Sequence, residues 1–163
     1  MFLRAEIEGE SWLTDVGVGG LSLSSAIRLE LDTEQPTLHE PRRIVKDGTK
    51  YYHQARFNEQ WNDVYEFTLE DMPLVDREVG NWFTSTHPEG QFKSRLIVAR
   101  AELEGKRLAV ADDEFSIRDR SGHAEKHRIG TPAELVDILA VHFGLHFPPD
   151  TRFQLRPPAV GGR

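Results

Sequence analysis

The sequence predicts an α+β protein: short antiparallel strands forming a small barrel or sandwich, a connecting helix, a second β set and a closing helix. Three observations predict it. Before residue 70, short β-rich runs are separated at regular intervals by Gly-, Asp- and Asn-containing turns. From Asp76 to Thr86 the apolar spacing becomes helical. Around Thr131–Phe143 the chain carries both a start and a stop signal for a helix.

Phe2–Glu8 partly alternates, Gly9-Glu10 signals a turn, and Ser11–Val16 reads as the return strand, which places Asp15 near the far end of a hairpin. Further strands are expected at Ala26–Leu31, Pro41–Lys46, Lys50–Phe57 and Asn62–Leu69, with Asp47-Gly48 and Asn58-Glu59-Gln60 as turns. Asp71-Met72-Pro73 closes this set. In Asp76–Thr86 the positions of Val79, Trp82 and Phe83 fit a helix, weakened by Gly80 by about 1 kcal/mol and stopped before His87-Pro88. The second β set is expected at Phe92–Leu103, Arg107–Asp112, Glu114–Asp119 and Glu125–Ile129. Glu104-Gly105 and Ser121-Gly122 divide it. In the last helix Thr131 is the cap, Pro132 the first helical residue, Glu134 the partner of a capping box and Gly144 the stop. Leu135, Ile138, Leu139, Val141 and His142 form its expected buried stripe. The Pro- and Gly-rich tail has no periodicity.

Composition narrows the function. Charged residues make up 29% and hydrophobic residues 38% of the 163, which suits a folded, water-exposed domain. With 20 basic against 27 acidic residues the net charge is −7, and no basic block could follow a phosphate backbone, so nucleic acid is not an expected partner. Arg42-Arg43 and Lys106-Arg107 read as isolated, solvated pairs. The N-terminal stretch turns charged too early for a signal peptide, and no apolar run reaches the roughly 20 residues of a membrane helix. The sequence has no cysteine, which excludes disulfides and thiolate metal sites and fits a cytoplasmic setting.

Local motifs give no complete catalytic set. Gly17-Val18-Gly19-Gly20 could be a phosphate cradle, but the third glycine of a dinucleotide fingerprint falls on Ser22 and no helix pattern follows. A glycine turn leaving a strand is the simpler reading. Among seven histidines, His123 and His127, and His142 and His146, are four apart, yet neither pair lies on a continuous helical face, so no metal site is expected. No Gly-x-Ser-x-Gly elbow exists, and Ser85-Thr86-His87 are sequence neighbours rather than an assembled triad. Asp112-Asp113-Glu114 reads as a turn facing water.

Several stretches together are more specific. Asp15–Gly20 is D-V-G-V-G-G, Asp32–Pro41 ends in H-E-P, and Glu78–Phe92 is E-V-G-N-W-F-T-S-T-H-P-E-G-Q-F. In this order, with the closing T-P-A-E-L-V-D-I-L-A-V-H-F-G-L, the chain resembles the C-terminal portion of the arylamine N-acetyltransferases. The resemblance implies a small antiparallel β-barrel over 1–75, a linking helix and loop over 76–91, and an α/β lid of antiparallel strands with a C-terminal helix over 92–163. It implies a Cys-His-Asp triad that passes acetyl from acetyl-CoA, the cosubstrate, to an arylamine or hydrazine.

Asp15 matches the triad aspartate, which orients the imidazole and stabilises the imidazolium. The alternative for Asp15 is a cap on the glycine turn. Val18 stands where the family has a pocket phenylalanine, and Gly19 borders the same pocket. Phe92 matches a second pocket aromatic or is core. Thr86 and His87 border the coenzyme cleft or serve as a helix stop, and Trp82 reads as core. No histidine precedes Asp15 and no cysteine exists, so the resemblance implies a truncated chain with an incomplete triad, inactive alone. Two other roles stay open: a module that forms homo-oligomers or pairs with an N-terminal domain through apolar surface, and coenzyme A binding without chemistry.

Overall fold

The computed structural model describes residues 2–15, 17 and 19–155. The chain divides into two compact units. The first comprises Met1–Leu69, Ala101–Arg107 and Ile117–Glu125; the second comprises Glu70–Arg100, Leu108–Ser116 and Lys126–Arg163. The mixed class with antiparallel sheets and few helices is as the sequence predicts.

In the first unit, β1 (Phe2–Ile7) and β2 (Glu10–Asp15) pair antiparallel from Ile7 opposite Glu10 to Phe2 opposite Asp15. Their two-residue turn has positive φ at both Glu8 (53°) and Gly9 (82°), the turn whose twist matches its strands. The next strand, β3, is confined to Ile27–Arg28 beside β2, shorter than the six residues expected. The second sheet is β4 (Arg42–Asp47), β5 (Lys50–Phe57) and β6 (Gln60–Phe67), in that order. A register shift at His53/Gln54 interrupts the pairing of β5 with β6.

Strand alternation decides what this unit buries. On β2, Leu13 and Asp15 share the inward face; on β4, Arg42 and Ile44 do; on β5, His53 and Ala55 do. Leu13, Leu23, Ile27, Ile44 and Phe67 form the apolar core, with Phe2, Tyr51 and Tyr65 packed against it. The same period-2 rule therefore brings charged side chains inside. Arg42, expected in solvent, is 1% exposed, and Arg107 is also buried.

In the second unit, α1 spans Leu74–Thr86 and a short helix, α2, spans Gln91–Ser94, where the sequence suggests the start of a strand. The strands β7 (Ile97–Ala101), β8 (Arg107–Ala111), β9 (Glu114–Arg118) and β10 (Ala124–Arg128) form a sheet in the order β10-β9-β8-β7. Some terminal residues of these strands, Arg107 among them, belong to the first unit. Helix α3 (Pro132–Phe143) buries Leu135 and Leu139, while Phe115 lies against His142 with ring centroids 4.7 Å apart. Val141 is 76% exposed, a correction to the expected stripe. Six positions beyond Leu135 the helix has turned it off the buried face.

Thr131 caps α3, its Oγ1 accepting from the Glu134 amide at 3.2 Å. Glu134 accepts the Gly130 amide (2.7 Å) and pairs with His127 (2.6 Å), one residue further back than a capping box requires. Gly144 closes the helix at φ 68°, a left-handed conformation that glycine adopts without strain. Asp112 and Asp113, expected in water, are buried at the turn after β8. Asp112 accepts from Arg95 (2.9 Å) and from the Leu96 amide (3.2 Å); Asp113 accepts from Arg128 (3.0 Å). Two buried carboxylates each with a charged donor are stable where bare ones would not be. Among the described residues no helix is long and apolar enough to cross a membrane.

Candidate active site

Asp15 ends β2 on its inward face and is 2% exposed. Its Oδ2 accepts from the Tyr65 hydroxyl at 3.2 Å and from the Leu23 amide at 3.4 Å. Its Oδ1 is buried and, among the described residues, meets no donor. A carboxylate fixed through one oxygen, with the other free to accept, is suited to receive an N–H from an imidazole ring that faces it. Burial, the Asp15 charge and the bond to Asp15 push the Tyr65 hydroxyl upward, so it remains a donor across the physiological range.

Downstream of Asp15 the Leu23 amide comes back to its carboxylate. Gly19 sits at φ 72°, which glycine reaches without penalty, and opens a 3-10 turn over Gly19–Leu21 closed by the Ser22 amide on the Gly19 carbonyl at 3.0 Å. This turn returns Leu23 to the carboxylate. Val18, named as a pocket residue from the sequence, lies outside the described residues.

Beside this turn is a buried charge cluster that sequence reasoning missed. Glu40 accepts a two-pronged contact from Arg107, Nε to Oε2 at 2.9 Å and Nη2 to Oε1 at 2.7 Å, and a third bond from Arg42 Nη2. Burial works against the Glu40 carboxylate, but the Arg107 hydrogen bonds and the charges of Arg42 and Arg107 outweigh it and hold Glu40 below the usual range. Arg42 donates to the Leu21 carbonyl (3.0 Å) and to His53 Nε2 (3.3 Å); Arg107 donates to the Gly20 carbonyl (3.2 Å). Burial and the neighbouring Arg42 push His53 down to about 3, so its ring is neutral and accepts at Nε2. His39, beside Glu40, has its Nδ1 2.8 Å from the Ser24 hydroxyl, and burial with the Arg107 charge lowers it too. The signal for this cluster was present: Arg42 is two residues before Ile44 on a strand whose apolar face turns inward.

Thr86, His87 and Phe92 belong to the second unit. Thr86 ends α1 exposed; His87 is its cap, in extended backbone before a proline, with its amide on the Phe83 carbonyl at 3.2 Å. The His87 ring stacks on Phe83 at 4.7 Å and meets Trp82 edge-on at 5.6 Å. Phe92 is 64% exposed and Trp82 54% exposed, so neither is core. Among the described residues no group of three or more histidine, aspartate or glutamate side chains could hold a metal ion.

Comparison with known proteins gives this geometry its context. The sequence model of the N-acetyltransferase family matches residues 1–151. The chain is 39% identical over 140 residues to an arylamine N-acetyltransferase of Mycolicibacterium smegmatis, covering 82% of this chain and 48% of that one. It is 31% identical over 144 residues to the arylamine N-acetyltransferase / N-hydroxyarylamine O-acetyltransferase of Salmonella typhimurium, covering 88% and 51%. Among solved structures, the Mycobacterium marinum arylamine N-acetyltransferase in complex with CoA superposes with a TM-score of 0.80 at 34% identity, covering 88% of this chain and 53% of that one. The chain spans about half the length of the curated relatives it matches.

Proposed function

We propose, from the premise that this chain belongs to the arylamine N-acetyltransferase family, that it is the C-terminal portion of such an enzyme and that Asp15 is its triad aspartate. The observation that carries this is the state of the Asp15 carboxylate. It is buried at a strand end, tethered through Oδ2 by Tyr65 and Leu23, and has an Oδ1 that no described donor reaches. In the reaction Asp15 would accept the Nδ1–H of a histidine, fix its tautomer and stabilise the imidazolium that keeps a thiol ionised.

These 163 residues contain no cysteine, so this stretch by itself is inactive in that reaction. Acetyl-CoA is the cosubstrate and an arylamine or hydrazine the acceptor, in keeping with the CoA-bound M. marinum relative. By resemblance to the family, Val18 and Gly19 are candidates for acceptor contact, and Thr86, His87 and Phe92 are candidates for coenzyme or acceptor contact. The exposure of Phe92 favours a contact role over packing. The corresponding three-part division is a strand-rich segment over 1–75, a link over 76–91 and a lid over 92–163. The test is an assay of the purified chain with acetyl-CoA and an arylamine. No release of coenzyme A is expected, and turnover abolished by Asp15→Asn would contradict the inactive assignment.

A second reading is favoured by one observation. No residue of α1 is buried, and Leu74, Val75, Val79, Trp82 and Phe83 are all exposed on it. Apolar surface of this kind marks an interaction site, for a second copy or for an N-terminal domain. Light scattering behind size exclusion distinguishes them: a monomer at high concentration argues against self-association. Coenzyme A binding without chemistry would show as heat on titration of the chain with coenzyme A.

A further inference from the structure

We propose that Glu40 is a positioning residue: through Arg42 and Arg107 it locks the turn that returns the Leu23 amide to the Asp15 carboxylate. This rests on the reading of Asp15 as the triad aspartate. Among the described residues the Glu40 carboxylate bonds to Arg42 and Arg107 rather than to Asp15 or the turn. It holds two guanidiniums, and each of those donates outward to one carbonyl of the same 3-10 turn, Arg107 to Gly20 at 3.2 Å and Arg42 to Leu21 at 3.0 Å.

The turn needs outside support. Its backbone bond among the described residues runs from Ser22 to Gly19, and its first residue is a glycine in the left-handed region, the residue most free to leave that conformation. Leu23 follows the clamped Leu21 carbonyl by two residues and donates to Asp15 Oδ2 at 3.4 Å. Moving the turn by an ångström removes that bond and leaves the carboxylate, among the described donors, hinged on Tyr65. A carboxylate that must present Oδ1 to a ring depends on both tethers.

Charge supports the same arrangement. Glu40 is held low by the Arg107 hydrogen bonds and by the charges of both arginines, the His53 ring is neutral, and Arg42 carries the charge that reaches from this cluster toward Asp15. Arg42 feels both carboxylates. Glu40 therefore acts on Asp15 by geometry, through the turn that its two arginines hold.

The test uses the 163-residue chain, with no turnover required, so its outcome is separable from that of the acetyl-transfer assignment. The variants are Arg107→Met, which keeps the Arg42–Glu40 pair, and Glu40→Gln with Arg107→Met, which keeps the net charge of the cluster and leaves an amide oxygen at position 40 to accept from Arg42. Amide exchange and the ¹³C resonance of the Asp15 carboxyl carbon at neutral pH are read by NMR. Both variants are expected to exchange Ser22 and Leu23 amides about tenfold faster while β5 amides keep their protection. The Asp15 carbon resonance is expected to move. A stationary Asp15 resonance overturns the proposal, as does acceleration spread evenly over the first unit, which would mean that the cluster only holds the fold.

Discussion

His53 is the residue whose chemistry most directly colours the stability of the first unit. The folded ring titrates at about 3, against 6.5 for the unfolded chain, because burial and Arg42 disfavour its charged form. Between those values the unfolded chain binds more protons than the folded one. Stability is thus complete above about pH 6.5 and falls as pH drops toward 3, by up to about 1.4 kcal/mol per pH unit. Glu40, held low by Arg107 and Arg42, adds a loss of the same sign at the acid end. Chemical denaturation at pH 7 and pH 5 should show the drop, and His53→Gln, which can still accept from Arg42, should flatten it. An equally steep acid slope in the variant would contradict this. At this scale the place of Asp15 at a strand end was legible, because Ser11–Val16 reads as the return strand of a hairpin. Its partners were not. Tyr65 lies 50 residues away, Glu40 stands in a phrase noted only as a pattern, and Arg42 and Arg107 were read as surface because a basic residue is most often outside.

At the scale of elements, the legible features were those with local chemistry. Helix α3 was readable from Thr131, Pro132 and Gly144, and its Thr131 Oγ1 accepts the Glu134 amide as a cap should. Thr131→Ala should cost about 1 kcal/mol in an equilibrium denaturation measurement. A change under a few tenths would mean that Glu134, through Gly130 and His127, does the capping alone. The hairpin of β1 and β2 was legible from Gly9, though its turn is Glu8-Gly9 and Glu10, expected in the turn, starts β2. Elements fixed by non-local contacts were less so. The strand expected at Ala26–Leu31 survives only as Ile27–Arg28, where β2 can pair with it. Phe92 starts no strand, because the Lys93 amide closes a turn on the Gly90 carbonyl at 2.9 Å and makes α2. Asp112 and Asp113 looked like a solvated turn because Arg95 and Arg128, which bury them, are up to 17 residues away in sequence.

At the scale of the molecule, the chain is two compact units that span about half of the relatives it matches. One unit carries a tethered aspartate with a buried oxygen that meets no donor among the described residues, and the other carries a helix whose apolar residues are exposed. Both features are what a portion of a larger enzyme would show, and Val79→Glu on that exposed helix should change the stability of the chain by less than about 0.5 kcal/mol. Everything proposed for the site turns on whether Asp15 does triad work once a cysteine and a histidine are supplied. The deciding measurement is acetyl transfer by this chain fused behind the N-terminal half of the M. smegmatis relative, with and without Asp15→Asn. Triad work by Asp15 requires coenzyme A release that the substitution lowers by at least about a thousandfold with the fold intact. Equal release by the fused protein and its Asp15→Asn variant would refute it.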